Sequence, residues 1–356
     1  MIRTRKKSLK IGFFVTDLKL ERAQYSTYWV AMSAVARGHS VFHISAADIE
    51  YTASGALKLK AKKVPGKRYR SSKHYFETLT DPSNQSEVID VTDLDVLLLR
   101  SDPAIEAEGW KWVQPMALQL GRIARASGVV VLNDPDGLSK AMDKLYLQLF
   151  PDMVRPLSII TRRHDDIKHF AAEQPSHIII KPVQGSGGKG VFIIQKGSFN
   201  NFRQMVDSLL QDGYVIAQEY IPEAVLGDTR LFMMNGEPLQ KHGKFAAFRR
   251  LRQGDDVRSN VHVGAKIARA EITDKMLELA SAVRPRLVED GMFLVGLDIV
   301  GGKILEINVF CPGGLRNAQR LEGVDFATEI VCALERKDRY LSYYSDKWYN
   351  LNTAVL

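Results

Sequence analysis

Apolar and polar positions along the first 133 residues fall into blocks that fit short strands and longer helices. Gly38 stands where the first helical block ends and Gly128 where the second ends, as expected of helix C-termini. Strands that alternate with helices predict a parallel sheet covered on both faces, which we assign to a first unit at residues 1–133. The predicted elements are strands at 10–16, 40–44, 95–99 and 129–132 and helices at 26–37 and about 110–126.

After Pro156 the pattern changes to strands separated by short turns. An Asn-Gly pair at 235–236 lies between two strand runs and is a strong signal for a β-hairpin. This half is predicted to be mainly antiparallel α+β, divided at 134–222 and 223–337, with a tail at 338–356. The predicted elements are strands at 178–182, 191–195, 214–221, 229–234, 238–248, 293–300 and 303–310 and helices at 199–211 and 273–289.

The formal charge of the 356-residue chain is +8, which would normally suggest a nucleic-acid partner. Residues 1–10 and 52–76 together hold thirteen Lys and Arg and no acid, so the remainder is acidic overall. Tyr69, Tyr75 and Phe76 in the second stretch could stack on bases. The favoured interpretation is a solvated basic loop or a grip on an anionic substrate.

Only two cysteines, Cys311 and Cys332, occur in the chain, too few for a disulfide framework or a thiolate metal cluster. No apolar run approaches the roughly 20 residues that a membrane-spanning helix needs. The basic start of the chain leads directly into a strand-like run rather than into a signal peptide. We therefore expect a soluble cytoplasmic protein without a membrane partner.

Residues 185–190 (GSGGKG) match the GxGxxG pattern of dinucleotide-binding proteins, but a strand follows them instead of a helix. A Walker P-loop is excluded because no Ser or Thr follows the Gly-Lys pair. Glycines let backbone N–H groups approach phosphate oxygens, and Lys181 and Lys189 can neutralise the charge. The loop is predicted to be a lid over phosphates, with an ordinary Gly-rich hairpin as the alternative.

Asp298, Glu306 and Asn308 are polar residues within otherwise apolar strands. Glu306 and Asn308 are two positions apart, so their side chains leave the same face. A two-residue loop at 301–302 would place Asp298 on the opposite face, whereas a three-residue loop with Gly302 left-handed would place all three together. Three such oxygen ligands suit Mg²⁺, and the alternative is a solvent-facing polar stripe.

Several motifs in a fixed order resemble the ATP-grasp superfamily and, within it, the bacterial glutathione synthetases. The resemblance implies a parallel-sheet pre-ATP-grasp domain followed by a two-lobed α+β ATP-grasp fold. It spans residues 10–335. The motifs are DLDVLLLRSDP (93–103), LNDP (132–135), DKLY (143–146), IIIKPVQGSGGKGV (178–191), QEYIPE (218–223), GDTRLFMMNGEP (227–238), DDVRSN (255–260) and VGLDIVGGKILEINV (295–309).

The resemblance also implies a role for each matching residue. The residues implied to bind ATP are Lys144, Lys181, Gly185, Ser186, Gly187, Gly188 and Lys189 at the phosphates, Gln218, Glu219, Tyr220 and Ile221 at the adenine, and Asp228 at the ribose. The implied ligands of Mg²⁺, with Mn²⁺ as an alternative ion, are Asp298, Glu306 and Asn308. The residues implied to steady an acyl phosphate or the second substrate are Arg230, Arg250, Arg258 and Asn260.

The implied activity is ATP-dependent amide formation through an acyl phosphate, without a covalent enzyme intermediate. γ-Glutamylcysteine and glycine are the implied carboxylate donor and amine acceptor. The chain departs from the family after Asn308, where 310–314 (FCPGG) replaces a Ser-Pro-Thr type turn, so another γ-glutamyl or peptide product stays open. A non-catalytic nucleotide- or nucleic-acid-binding protein is the second alternative. The sequence also leaves open a homo-oligomer. For Arg250, the alternative to a role at the acyl phosphate is a solvated basic face shared with Arg249 and Arg252.

Overall fold

The computed structural model describes residues 7–101, 109–185, 189–252, 266–344 and 349–356. They form three larger β-sheets and one two-stranded hairpin, with helices packed against the sheets. Two large hydrophobic cores combine residues of the first and third sheets, and a smaller core lies against the second sheet. No helix in these described ranges is long and apolar enough to cross a membrane.

The first sheet has the strand order β4-β3-β2-β1-β5-β6 and forms an N-terminal domain. Strands β1, β2, β5 and β6 run parallel, which confirms the predicted parallel sheet. Its strands are β1 (Lys10–Val15), β2 (Ser40–Tyr51), β3 (Leu57–Lys63), β4 (Ser86–Asp90), β5 (Val96–Leu99) and β6 (Val130–Leu132), and its helices are α1 (Ser26–Ala36), α2 (Ser72–Thr80) and α3 (Val113–Ala126).

The basic stretch at 52–76 is not the predicted loop, because it contains β3 and the start of α2. Buried Leu57, Leu59 and Ala61 alternate along β3 with lysines on the opposite, more exposed face, so the strand is amphipathic. Tyr75 and Tyr69 are buried, and the Tyr75 hydroxyl lies 2.8 Å from His43 Nε2. These two rings are therefore core residues that cannot stack on bases.

The second sheet, β7-β10-β8-β9, is antiparallel and forms a small lobe. A short helix, α4 (Pro135–Lys140), and a 3₁₀ turn over Lys144–Leu149 connect it to the N-terminal domain. Its strands are β7 (Ser158–Thr161), β8 (Ile178–Pro182), β9 (Phe192–Ile194) and β10 (Val215–Glu219), and its helices are α5 (His164–Glu173) and α6 (Phe202–Leu210).

The third sheet has the order β16-β15-β11-β17-β18 and forms a large lobe. The predicted Asn-Gly hairpin is confirmed between β11 and β12, with positive φ at both Asn235 and Gly236. Its strands are β11 (Asp228–Met234), β12 (Glu237–Pro238), β15 (Ala247–Leu251), β16 (Lys266–Ala268), β17 (Leu294–Val300) and β18 (Lys303–Asn308), and its helices are α7 (Asp274–Glu289), α8 (Leu315–Glu322), α9 (Phe326–Tyr344) and α10 (Asn350–Ala354).

One predicted element of the large lobe is wrong. The single strand expected at 238–248 is interrupted by a tight hairpin of β13 (Gln240–Lys241) and β14 (Lys244–Phe245). His242 and Gly243 both have positive φ, so the chain reverses there instead of continuing extended.

The first and third sheets are joined by side-chain amides. Asn133, just after β6, accepts a hydrogen bond from Leu294 N at 2.9 Å and donates to Val309 O at 2.6 Å. Asn350 forms hydrogen bonds with both the backbone N–H and the carbonyl of Val131, at 2.7 and 2.9 Å.

Lys337 is fully buried in α9 and donates to the carbonyl oxygens of Thr353, Ala354 and Leu356. The tail is therefore integrated into the fold, and α9 runs across the boundary predicted at 337/338.

Candidate active site

Polar side chains collect on one face of the large-lobe sheet. Cross-strand pairing places Asp228 opposite Arg250, Arg230 opposite Asp298, Asp298 opposite Glu306, and Gly296 opposite Asn308. Directly opposed residues of antiparallel strands share a face. The residues so assembled are Asp228, Arg230, Arg250, Asp298, Glu306 and Asn308.

A β-bulge brings Asp298 onto the face of Glu306. Next to the turn at Gly301-Gly302, Val300 pairs with Lys303 and Ile299 with Ile304, the register of a two-residue loop. The register then shifts, so that Asp298 pairs with Glu306 and Leu305 is the extra residue. The one-face arrangement thus arises without the three-residue loop, and the left-handed glycine is Gly301 (φ +54°), not Gly302.

Buried ion pairs hold this face together. Arg230 donates two hydrogen bonds of 2.6 Å to the Asp298 carboxylate, and Nη2 of Arg250 lies 2.8 Å from the same carboxylate. Arg250 also binds the carboxylate of Asp228. Burial opposes ionisation of Asp298, but the two guanidinium groups outweigh it and lower its pKa to about 2. Arg250 is 8% exposed, so it does not belong to a solvated basic face.

Two lysines face this sheet from the small lobe and its connection. Lys144 begins the 3₁₀ turn and donates to the carbonyl of Gly185, while Lys181 lies in β8. Burial lowers the pKa of Lys181 to about 8 although the Glu306 carboxylate acts in the opposite direction, and Lys144 lowers it further. Burial likewise lowers the pKa of Lys144 against the influence of Glu306. Two cations thus lie across a cleft from one carboxylate.

The cleft lies between the small and large lobes. Its lining includes Lys144, Lys181, Gly185, Gln218, Glu306 and Asn308, which the structure brings together as the sequence motifs suggested. Cys311 also lies on its wall, 3.9 Å from the Thr27 hydroxyl. Lys189 is exposed beside the loop. Ser186, Gly187, Gly188, Arg258 and Asn260 lie outside the described residues.

The segment predicted to hold adenine leaves the end of β10 and leads into the large lobe. Gln218 is buried and lines the cleft, but the Glu219 carboxylate accepts a hydrogen bond from Leu157 N at 2.8 Å. The Tyr220 ring lies 5.8 Å from that of His177, and Ile221 precedes a 3₁₀ turn. The adenine role of this segment and the ribose role of Asp228 stay predictions.

The predicted metal ligands provide oxygen atoms suited to a hard cation. Among the described residues, the Glu306 carboxylate has neither a hydrogen bond nor an ion pair. Asn308 donates through Nδ2 to Asp298 at 3.2 Å, which leaves its Oδ1 as an acceptor. The described part of the chain contains no cluster of three or more His, Cys, Asp or Glu suited to a metal. Two carboxylates and one amide nevertheless fit Mg²⁺, which keeps positions for water and phosphate.

Sequence reasoning gave no role to Arg100, although its motif was noted. From β1 the chain passes to β2 on one side of that strand, and it later enters β5 on the other side. The carboxyl ends of β1 and β5 therefore flank a switch point of the strand order. Sheets of α/β proteins bind ligands at such points. Arg100 directly follows β5, donates to Thr27 Oγ1 at 3.3 Å, and is 4% exposed. Its Nη2 group and the hydroxyl of Thr16 are buried and have no hydrogen-bond partner among the described residues. The sequence feature that could have identified Arg100 is its position directly after a buried parallel strand.

Comparison with known proteins agrees with this geometry. Residues 9–139 match the family model of the prokaryotic glutathione synthetase N-terminal domain, and residues 143–323 match that of its ATP-grasp domain. A glutathione synthetase of Synechococcus elongatus is 30% identical over 92% of this chain and 98% of its own length. One of Brucella melitensis is 31% identical over 88% of this chain and 93% of its own.

Solved structures show the same fold at lower sequence identity. The crystal structure of D-cycloserine synthetase DcsG superposes with a TM-score of 0.61 at 16% identity, covering 92% of this chain and 99% of that one. The predicted fold class is thereby confirmed. The glutathione synthetase family in general uses ATP with a divalent metal ion. The chain belongs to the prokaryotic glutathione synthetase family and is an ATP-grasp carbon–nitrogen ligase.

Proposed function

We propose that this enzyme joins the cysteinyl carboxylate of γ-glutamylcysteine to the amine of glycine, with ATP and Mg²⁺. The observation that carries the proposal is the position of Lys144 and Lys181, which face Glu306 across the cleft. The wall of this cleft continues into the Arg230–Asp298 pair. Relatives that match most of the chain are glutathione synthetases. The proposal includes small-molecule substrates and a cytoplasmic location, which suits two cysteines that are not joined in a disulfide.

The first step is transfer of the γ-phosphoryl group to an oxygen of the donor carboxylate, which releases ADP. This transfer needs positioning and charge neutralisation rather than a protein nucleophile. Lys144 and Lys181 supply positive charge from one wall of the cleft, and Gly185 adds backbone close to the phosphates. Gln218, buried at the hinge between the lobes, is suited to an edge of the adenine.

Asp298, Glu306 and Asn308 would hold Mg²⁺ on the opposite wall. The ion, when bound, would neutralise charge on the phosphate oxygens during transfer. Arg230 uses three N–H groups on Asp298 and Gly313 O, which leaves two for an incoming oxygen. Arg230 and Arg250 are therefore our candidates to stabilise the acyl phosphate and the charge that develops when the amine attacks it.

Arg100 is suited to anchor a carboxylate of the donor away from the reacting one. A guanidinium group can bind a carboxylate through two parallel hydrogen bonds, and Nη2 of Arg100 has no partner in the part of the chain that the structure describes. Its NH1 lies 3.5 Å from Phe310 O, at the start of the loop that departs from the family pattern. The donor and this loop would thus meet at the switch point of the first sheet.

The loop at 310–314 is the part of the site that sets the acceptor. Its path is fixed, because Gly313 O accepts from Arg230 at 3.3 Å and Gly314 has φ +94°. A Cβ at Gly314 would lie 2.4 Å from the Phe248 ring, so only glycine fits. Another γ-glutamyl or peptide product remains the alternative proposal on account of this loop. Burial of Tyr69 and Tyr75 counts against a nucleic-acid-binding protein.

Activity with defined substrates tests the proposal as a whole. ADP release should be fastest with γ-glutamylcysteine and glycine in a matrix of carboxylate donors and amine acceptors. With ¹⁸O in the donor carboxylate, one labelled oxygen should appear in inorganic phosphate, because phosphate leaves when the amine attacks. A faster second pair would favour the alternative product. Label absent from phosphate would exclude the acyl phosphate, and no ADP release with any pair would exclude ligase activity.

Replacing Glu306 by Gln removes one negative oxygen ligand without changing side-chain size. We expect turnover to fall by about 100-fold or more, since metal-ion stabilisation of transferring phosphate is worth several kcal/mol. Calorimetry should show that Mg²⁺ no longer tightens ADP binding. The control is Glu87→Gln, the same charge change on exposed β4. Normal turnover in Glu306→Gln with an unchanged melting temperature would contradict the metal assignment.

The pH dependence of ATP binding tests Lys181. Its folded pKa is about 8, below the ordinary lysine value, so raising the pH through about 8 removes a charge that attracts phosphate. Metal-free ATP affinity should fall by up to about tenfold per pH unit above that value. In Lys181→Arg the charge persists, because guanidinium stays protonated, and the decline should be absent. The same decline in both proteins would assign it to another group.

The substitution Arg100→Lys keeps the positive charge but removes the planar guanidinium group. The KM for the donor should rise about tenfold or more while the KM for ATP stays unchanged, because only the donor contact is altered. Arg122→Lys, which changes an arginine paired with Asp136 at 2.7 Å on α3, serves as the matched control. An unchanged donor KM, or an equal rise in both variants, would remove Arg100 from the donor site.

A further inference from the structure

A groove of about 630 Å³ lies between α1 of the N-terminal domain and α8 of the large lobe. It shares no lining residue with the catalytic cleft. Trp29, Met32 and Ala36 line it from α1, and arginines line it from two other directions. Both the volume and this mixture of an apolar wall with a few convergent polar groups are typical of small-molecule sites, which measure roughly 300–1,000 Å³.

Three arginines of the groove have no acidic partner among the described residues. Arg316 and Arg320 are one turn apart on α8, both exposed, and Arg68 approaches from the connection between β3 and α2. Within the described ranges, none of the three makes an ion pair or a side-chain hydrogen bond. Like charges four residues apart destabilise a helix slightly, and an anion bound between them would offset this repulsion.

The other charged groups of the groove are already satisfied. Both oxygens of the Asp325 carboxylate accept hydrogen bonds from Thr328, at 3.0 and 2.7 Å. Arg37 forms two hydrogen bonds of 2.8 Å with Glu335. Among the described residues, the groove therefore has three guanidinium groups without a partner, whereas the Asp325 carboxylate already accepts hydrogen bonds through both oxygens.

We propose that this groove binds a small polyanion with two or more carboxylate or phosphate groups. Guanidinium forks match the oxygens of either group. The two helices that form the groove are fixed to each other, since Leu315 N at the start of α8 donates to Ser26 Oγ at the start of α1, at 3.2 Å.

Direct titration of the full chain tests the site. Citrate and tripolyphosphate are the probes, used in metal-free buffer of about 0.15 M ionic strength with excess ADP to fill the nucleotide site. We expect saturable binding of at least one probe, and the probe that binds identifies carboxylate or phosphate as the recognised group. Arg316→Gln/Arg320→Gln should weaken binding by about tenfold or more.

The matched control is Arg203→Gln/Arg339→Gln, which removes the same charge from exposed positions on α6 and α9. Binding in this control should stay within about twofold of the unmodified protein. No saturable binding of either probe would overturn the proposal, as would equal weakening in both double variants. Salt-sensitive self-association that Arg316→Gln/Arg320→Gln abolishes, without probe binding, would also overturn it and would assign the groove to a second copy of the chain.

Discussion

The carboxylate of Asp298 is buried on β17, an interior strand of the large-lobe sheet, and the surrounding strands are arranged to compensate its charge. Burying an unpaired ion costs several kcal/mol, so the arginines of β11 and β15 have to lie on its face. Gly296 makes room for this, because a Cβ there would come within 3.1 Å of Arg230 Cδ. The same face is then preorganised with fixed positive charge where phosphate chemistry is proposed to occur.

The order of motifs predicted the fold and the family, because several local signals that are ambiguous singly are specific when they occur together in one order. Gly-rich residues between two strands, polar residues two apart in an apolar strand, and an Asn-Gly turn all depend on neighbours in the sequence. The bulge at Leu305 could not be predicted in this way. It depends on how β17 and β18 pair along their whole length, and both possible loops were compatible with the two glycines.

Tertiary context also decided the parts that the sequence misrepresented. The basic stretch was expected to be a loop because lysines dominate it, yet Leu57, Leu59 and Ala61 extend the first core and make β3 a strand. Arg100 was not identified because its significance comes from the strand order, in which β2 and β5 lie on opposite sides of β1. Residue spacing along the chain does not contain that information.

The Asn350 amide has a consequence for how the chain folds. Strand β6 is at the edge of the first sheet, and the amide binds both the N–H and the carbonyl of Val131, as a neighbouring strand would. The two residues are 219 positions apart. During synthesis, these backbone groups of the N-terminal sheet therefore stay open until the tail emerges from the ribosome. An open sheet edge can pair with another chain, so the newly made N-terminal domain carries a site for aggregation that closes only when the tail docks.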